Sequence, residues 1–251
     1  MLFLLTNDDG ISAKGLMLLE ARLRQDYEKK GRARIVTVAP QFPQSGASRA
    51  LTVYRPLRCN EIEKDRFQID GTPVDCVHFA LKLLLKSEVT FLISGINNGP
   101  NLGDDIAYSG TVGAALEAAR MGIPSLALSL VFDKKEIPDF SNAVEFGIKA
   151  AELMISNPPQ KGVAISANIP QGKIKGIKIT KPGRRIYSDR IEVRKDPFGK
   201  NYYWMAGDGT LSGVNDPGTD FEALNSNCIS ISPLDSNCFA SYTELELWKN
   251  L

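Results

Sequence analysis

Histidine is nearly absent from this chain. One imidazole, His78, serves 251 residues, which excludes any mechanism that needs two histidines within one chain. It lies beside Val77 and Phe79 in an apolar run, where a packed helix residue is the expectation and a catalytic base is not. Cysteine is scarce too. Cys59, Cys76, Cys228 and Cys238 form no C-x-x-C pair and their spacing matches no zinc site. Reduced thiols in a cytoplasmic protein are therefore expected. No apolar run reaches the roughly 18–20 residues of a membrane span. Met1 to Leu5 is apolar but lacks a basic flank and is cut short by Asn7, Asp8 and Asp9, so it reads as a first strand and not as a signal peptide. An excess of one charge is missing as well: 30 Lys and Arg face 29 Asp and Glu, a net charge of +1. That balance argues against a nucleic-acid polymer or an anionic membrane as partner.

What is present is the composition of a soluble globular protein, 43% hydrophobic and 24% charged, long enough to bury a sizeable core. No internal repeat or low-complexity linker marks a domain boundary. Apolar runs that read as strands alternate with stretches that read as helices. Leu2 to Thr6, Arg34 to Ala39, Val89 to Ile93 and Ser125 to Leu130 are strand-like. Between them, Leu16, Leu19 and Leu23 recur at helical spacing behind Ser12, whose hydroxyl is placed to cap the helix. Val74 to Leu85 and Thr111 to Met121 are the next two helices. This is the grammar of a parallel sheet covered by helices. Ligands in such sheets bind beyond the carboxyl ends of the strands, where the polar clusters fall.

The later half is less regular. Ser141 to Ile155 reads as an amphipathic helix, and Val163 to Ala167 and Ile174 to Thr180 as strands. Residues 181–206 form two strand-like arms around Asp196-Pro197-Phe198-Gly199, a hairpin whose arm Tyr202-Tyr203-Trp204 is apolar enough to want a partner. A short helix at Thr219 to Leu224, a strand at Cys228 to Ile231 and a terminal amphipathic helix complete the reading.

The sharpest local feature is Asp8-Asp9-Gly10 at the end of the first strand. Adjacent side chains on extended backbone point apart, but a turn relaxed by Gly10 can bring them together. Two close carboxylates repel, and a divalent cation with a taste for hard oxygen relieves this. The same tetrapeptide, Asn7 to Gly10, is also good surface-turn chemistry. Ser45 and Asn97 add neutral oxygens after other strands, each equally at home as a loop hydrogen-bonder. Tyr108-Ser109-Gly110-Thr111 precedes a helix and reads either as an anion site or as an N-cap. It is no Walker loop, because no lysine follows the glycine. Asp104 and Asp105 read as solvated or helix-capping.

Taken together, in order, these motifs are far more specific. Thr6-Asn7-Asp8-Asp9-Gly10-Ile11, Val38-Ala39-Pro40 with Ser45-Gly46-Ala47-Ser48, Gly71-Thr72-Pro73-Val74-Asp75-Cys76, Ser94-Gly95-Ile96-Asn97 with Gly99-Pro100-Asn101-Leu102-Gly103, and Tyr108-Ser109-Gly110-Thr111-Val112 resemble the SurE family of stationary-phase survival proteins, which are metal-dependent nucleotidases. The likeness runs on through Lys181 to Trp204 and from Pro217 to Leu234. It implies one α/β domain over 1–251, with a Rossmann-like, mostly parallel sheet in a core of about 1–180 and 207–235. It implies a projecting hairpin at about 181–206 and a C-terminal helix at about 241–251, both exchanged between subunits of a homodimer or homotetramer. It implies one divalent ion per subunit, Mg²⁺ or Mn²⁺, on Asp8, Asp9, Ser45 and Asn97. Ser109, Gly110, Thr111 and Asn101 are the candidate substrate-binding residues. The implied reaction removes phosphate from nucleoside 5′- and 3′-monophosphates, with short polyphosphate as a further substrate. Gln41 stands where many members carry Asp, and Ser166-Ala167-Asn168-Ile169-Pro170 replaces the more usual Asn-Val-Asn-x-Pro.

The expected mechanism is attack by a water, with Asp8 and Asp9 holding the metal, one of them also orienting or deprotonating the water, and Asn97 steadying the phosphoryl group. Direct attack by a strand-end Asp is the alternative, but enzymes of that kind place two acids one residue apart, and here they are adjacent. A response-regulator-like binding module is the rival from another class. It needs a phosphoacceptor Asp after a middle strand, where this chain has Ala39-Pro40 and Ser94-Gly95.

Overall fold

The computed structural model describes residues 1–85, 87–133, 135–186, 190–206 and 212–237. The expected terminal helix at 241–251, and Cys238, lie outside them. The first strand, β1 (Leu2–Thr6), is buried along its whole length. It leads through helix α1 (Lys14–Leu23) to β2 (Arg34–Pro40). A hairpin, β3 (Cys59–Glu63) and β4 (Arg66–Ile69), precedes α2 (Pro73–Phe79) and β5 (Phe91–Asn97). Then come α3 (Gly110–Arg120), β6 (Ser125–Val131), α4 (Ser141–Ser156), β7 (Val163–Pro170) and β8 (Gly176–Ile179). β9 (Arg190–Lys195), β10 (Asn201–Ala206), α5 (Asp220–Asn225) and β11 (Cys228–Asp235) follow.

Among the described residues nine strands form one sheet in the order β3-β4-β2-β1-β5-β6-β7-β11-β8, and β9 with β10 forms a separate ribbon. The central pairs, β2–β1, β1–β5, β5–β6 and β6–β7, are parallel. The expected α/β class therefore holds. The reason lies in period two on a sheet covered on both faces. Phe3, Leu5, Ile35, Phe91 and Ile93 face α1 and α4. Leu2, Leu4, Val36, Val38 and Leu92 face α2 and α3. Phe3 stacks on Phe91 with ring centroids 4.1 Å apart and meets the edge of Tyr27 at 5.0 Å. Each of these fully buried aromatic or aliphatic side chains contributes roughly 1.5–3 kcal/mol. No helix among the described residues is long and apolar enough to cross a membrane.

Several expectations need correction. Ser12 does not cap α1. Ala13 occupies that position without a side-chain bond, because Ala13 N–H already closes a turn on the Gly10 carbonyl at 3.0 Å, leaving Ser12 one residue too early. The strand expected to stop at Ile93 continues to Asn97, pairing Ser94 with Ala127, Gly95 with Leu128 and Asn97 with Ser129. Gly95 permits this, since a Cβ there would stand 2.3 Å from the Leu128 carbonyl oxygen. The helix expected over 74–85 changes pitch after Phe79 into a π-helical turn, Ala80–Leu84. The β3–β4 hairpin carries no sequence signal: β3 (CNEIE) is mostly exposed at the sheet edge and shows no apolar face. The β9–β10 hairpin does turn at Asp196 to Gly199, with Tyr203, Trp204 and Met205 exposed.

β1 lies between β2 and β5. The chain leaves β1 for one side, then crosses back through α2 to the other. The sheet's switch point is thus at the end of β1, where Asp8 and Asp9 sit.

Candidate metal and phosphate site

Asn7 begins the site. It is fully buried, and its Nδ2 donates to the Gly10 carbonyl at 2.8 Å, closing the turn. Gly10 has φ +98, a conformation that favours glycine. The far end of the turn is clamped from a distant strand, because the buried Arg66 guanidinium donates to the Ile11 carbonyl at 2.7 Å. Nothing in the local sequence signals this contact across 55 residues.

Asp8 is 4% exposed. The Thr111 hydroxyl donates to its Oδ1 at 2.5 Å and the Thr111 amide to its Oδ2 at 3.0 Å. The first turn of α3 is therefore aimed at a carboxylate of the protein itself. Gly110 makes the approach possible: a Cβ there would lie 2.9 Å from the Asp8 Cβ and 3.1 Å from Pro73 Cγ. Gly110→Ala should lower stability, read from a reduced urea midpoint, by about 1–3 kcal/mol, the usual cost of overpacking, despite alanine's better helix propensity. A midpoint at or above that of the parent protein would show that α3 can shift freely.

Asp9 is half-buried, and its Oδ2 accepts the Asn98 amide at 2.8 Å. Asn97, at the end of β5, donates through Nδ2 to the Gly99 carbonyl at 2.8 Å, which leaves its Oδ1 available. Ser45 is exposed on the loop after β2. The amide of its neighbour Gln44 donates to the Asp8 carbonyl at 2.7 Å. Each neutral candidate is thus next in the chain to a residue bonded to the aspartate pair.

The other expected residues are engaged within the protein. The Ser109 hydroxyl caps α3 by accepting the Val112 amide at 3.1 Å. Asn101 is 7% exposed; its Nδ2 donates to the Ser129 hydroxyl at 2.8 Å and its amide to Asn168 Oδ1 at 2.9 Å. The loop beyond it is held by the buried Asp220, which accepts the amides of Gly103 and Gly183. Asp104 and Asp105 are not simply solvated. Asp104 accepts the Arg185 amide at 2.8 Å, and Asp105 pairs with its guanidinium at 3.4 Å. His78 is half-buried on α2 and its Nε2 lies 2.8 Å from Glu117, so its surroundings are less apolar than expected. Cys59, Cys76 and Cys228 are free thiols.

Burial pushes the carboxyls of both Asp8 and Asp9 up from the usual range. Bonds from Thr111 oppose this at Asp8, and the Asn98 amide opposes it at Asp9, while the charge of Asp8 raises Asp9 further. Among the described residues neither carboxylate has a salt bridge to a cation. Close by, the buried Asn7 Oδ1 has no hydrogen-bond partner among the described residues, an unusual state for a buried acceptor. Among the described residues no cluster of three or more His, Cys, Asp or Glu could hold a metal. The set here is two carboxylates with neutral oxygens, hard donors that lack a positive partner. Those donors fit an oxygen-seeking divalent ion.

Comparison with known proteins places the chain in a family. The sequence model of the family described as "Survival protein SurE" matches residues 3–189. A protein of Syntrophotalea carbinolica named "5'-nucleotidase SurE" is 39% identical over 251 residues, covering 99% of this chain and 97% of its own. One of the same name from Carboxydothermus hydrogenoformans is 40% identical over 258 residues, covering 99% and 96%. The crystal structure of the SurE protein from Aquifex aeolicus superposes with a TM-score of 0.83 at 33% identity, covering all of both chains. A parallel sheet with paired aspartates at its switch point, likeness over the whole chain and a matching solved structure lead to one conclusion: this chain belongs to the SurE family.

Proposed function

We infer that this chain is a divalent-metal-dependent 5′-nucleotidase that hydrolyses nucleoside monophosphates to nucleoside and inorganic phosphate. The observation that carries this is the Asp8–Asp9 pair, one buried and one half-buried, which no cation among the described residues pairs with. The names of the relatives supply the reaction class. Asp8, Asp9, Ser45 and Asn97 are the residues that would hold the ion. When bound, it would neutralise charge on the phosphoryl group and make a water more acidic.

The protein's own groups have separable tasks. Thr111, with the α3 N-terminus, fixes both oxygens of Asp8 and favours its ionised form against the effect of burial. Asp9 has one oxygen on the Asn98 amide, and the other would orient the attacking water. Asn97 is fixed through its nitrogen and presents an amide oxygen. The water's oxygen bonds to phosphorus and releases one proton, the bond from phosphorus to the nucleoside oxygen breaks, and that oxygen takes up one proton, so the net proton count is unchanged. Ser109, Gly110, Thr111 and Asn101 serve substrate by setting the walls of the site and the position of Asp8.

The same reading extends to nucleoside 3′-monophosphates and short polyphosphate as substrates. It extends to a cytoplasmic homodimer or homotetramer joined through the apolar β9–β10 hairpin and the C-terminal segment. The decisive assay is phosphate release from AMP and GMP. Release should be steady, should fall to background in EDTA, and should return with Mg²⁺ or Mn²⁺. Steady release that survives exhaustive chelation would refute the metal-dependent reading.

A further inference from the structure

We propose that Arg49 is a positioning residue for Ser45, through its ion pair with Glu117. The proposal rests on the reading of Ser45 as a metal ligand. Ser45 lies on a short exposed stretch with no side-chain bond of its own among the described residues, and both ends of that stretch are tied. At one end the Gln44 amide donates to the Asp8 carbonyl at 2.7 Å. At the other, the Ser48 amide donates to the Tyr108 carbonyl at 3.1 Å and the Ser48 hydroxyl to the Ala107 carbonyl at 2.6 Å. Arg49 then reaches over α3. One of its guanidinium nitrogens donates to Glu117 Oε2 at 2.9 Å and another to the Ser236 carbonyl at 3.1 Å.

Helix α3 is the common ruler. Thr111 in its first turn holds Asp8. Gly113 lets the loop lie against the helix, since a Cβ there would stand 2.3 Å from the Ser48 carbonyl oxygen and 3.1 Å from Arg49 Cγ. Glu117, 4% exposed, closes the contact one turn later. One rigid element therefore sets the Ser45 loop against Asp8. Partners behind a ligand commonly govern metal affinity. Glu117 has other partners as well. Arg120 and His78 also bond its carboxylate, but among the described residues neither has a hydrogen bond or ion pair to the loop. That difference separates a positioning role from a purely structural one.

The experiment measures Mn²⁺ binding to the full chain by the electron-paramagnetic signal of the free ion. The key variant is Arg49→Met, which keeps the stem packed on Gly113 and removes the charge. Mn²⁺ binding should weaken about tenfold or more. Arg49→Lys should recover part of the loss. Arg120→Ala should lose thermal stability yet bind Mn²⁺ within twofold of the parent. Unchanged affinity in Arg49→Met overturns the proposal, as does an Arg120→Ala loss equal to that of Arg49→Met. If the Met variant does not fold, Arg49→Gln is read by the same criteria. Asp9→Asn separates the two levels. If it abolishes Mn²⁺ binding and Arg49→Met does not weaken it, only the positioning role fails. If the parent protein does not bind Mn²⁺, or Asp9→Asn binds it equally well, the metal site itself fails and the proposal falls with it.

Discussion

Asp9→Asn is expected to give a folded protein that releases phosphate from AMP about 10³-fold more slowly, a loss of about 4 kcal/mol in transition-state stabilisation. The amide keeps an oxygen for the Asn98 N–H, so the loop after β5 stays docked. What disappears is one of two negative charges that would hold the ion. The same substitution should raise the thermal midpoint in EDTA. Burial and the charge of Asp8 push the Asp9 carboxyl up, so the ionised form is disfavoured in the fold and costs stability at neutral pH. A neutral amide removes that cost. The parent protein should gain stability with Mn²⁺, because an ion that binds only the folded state shifts the equilibrium towards it, and the variant should gain none. Parent-level turnover in Asp9→Asn with metal present would remove Asp9 from the chemistry.

The second large effect is on stability. Glu117 is buried on α3 and accepts bonds from Arg49, Arg120 and His78. Glu117→Ala leaves these cationic and polar groups without their partner and should cost about 3–5 kcal/mol. For a chain of this size that lowers the melting temperature by roughly 6–20 °C. Acid titration supplies a second readout. Burial alone would push the Glu117 carboxyl up, but its bonds from Arg120, Arg49 and His78 outweigh this and hold it at about 2, against an ordinary 4.5. A carboxyl held low in the fold adds stability that is complete above its unfolded value. That contribution is lost as pH falls from 4.5 through about 2, and here amounts to about 3 kcal/mol. The parent protein should lose that much over this window relative to Glu117→Ala, as read from urea midpoints at pH 5 and pH 2. Parallel decline of the two proteins would show that the cluster is not coupled to folding.

Much of the architecture could be read from the linear chain, and the reason is local. Strands covered on both faces need an apolar residue at almost every position, so β1, β2, β5 and β6 stand out as runs. Helices α1, α3 and α4 carry apolar residues at helical spacing. The Asp8–Asp9 pair is legible for a related reason: two acids at the end of such a run have no packing role to explain them.

Contacts between distant segments left no comparable mark. Thr111 reads equally well as a phosphate gripper or a capping neighbour, and only the packing of α3 over β5 and β6 turns its hydroxyl and amide towards Asp8. Arg66 on Ile11 and Arg49 on Glu117 span 55 and 68 residues. Surface arginines and buried ones look alike in a sequence. β3 was hidden because an exposed edge strand carries no apolar stripe. The end of β5 was hidden because Gly95 reads as a turn until β6 is laid beside it. Local periodicity therefore determined the layers, the strand ends and the acidic pair, since a backbone answers to its nearest neighbours in the chain. Folding in three dimensions decided which donor meets which carboxylate, since those meetings depend on side chains that are close in space and far apart along the polymer.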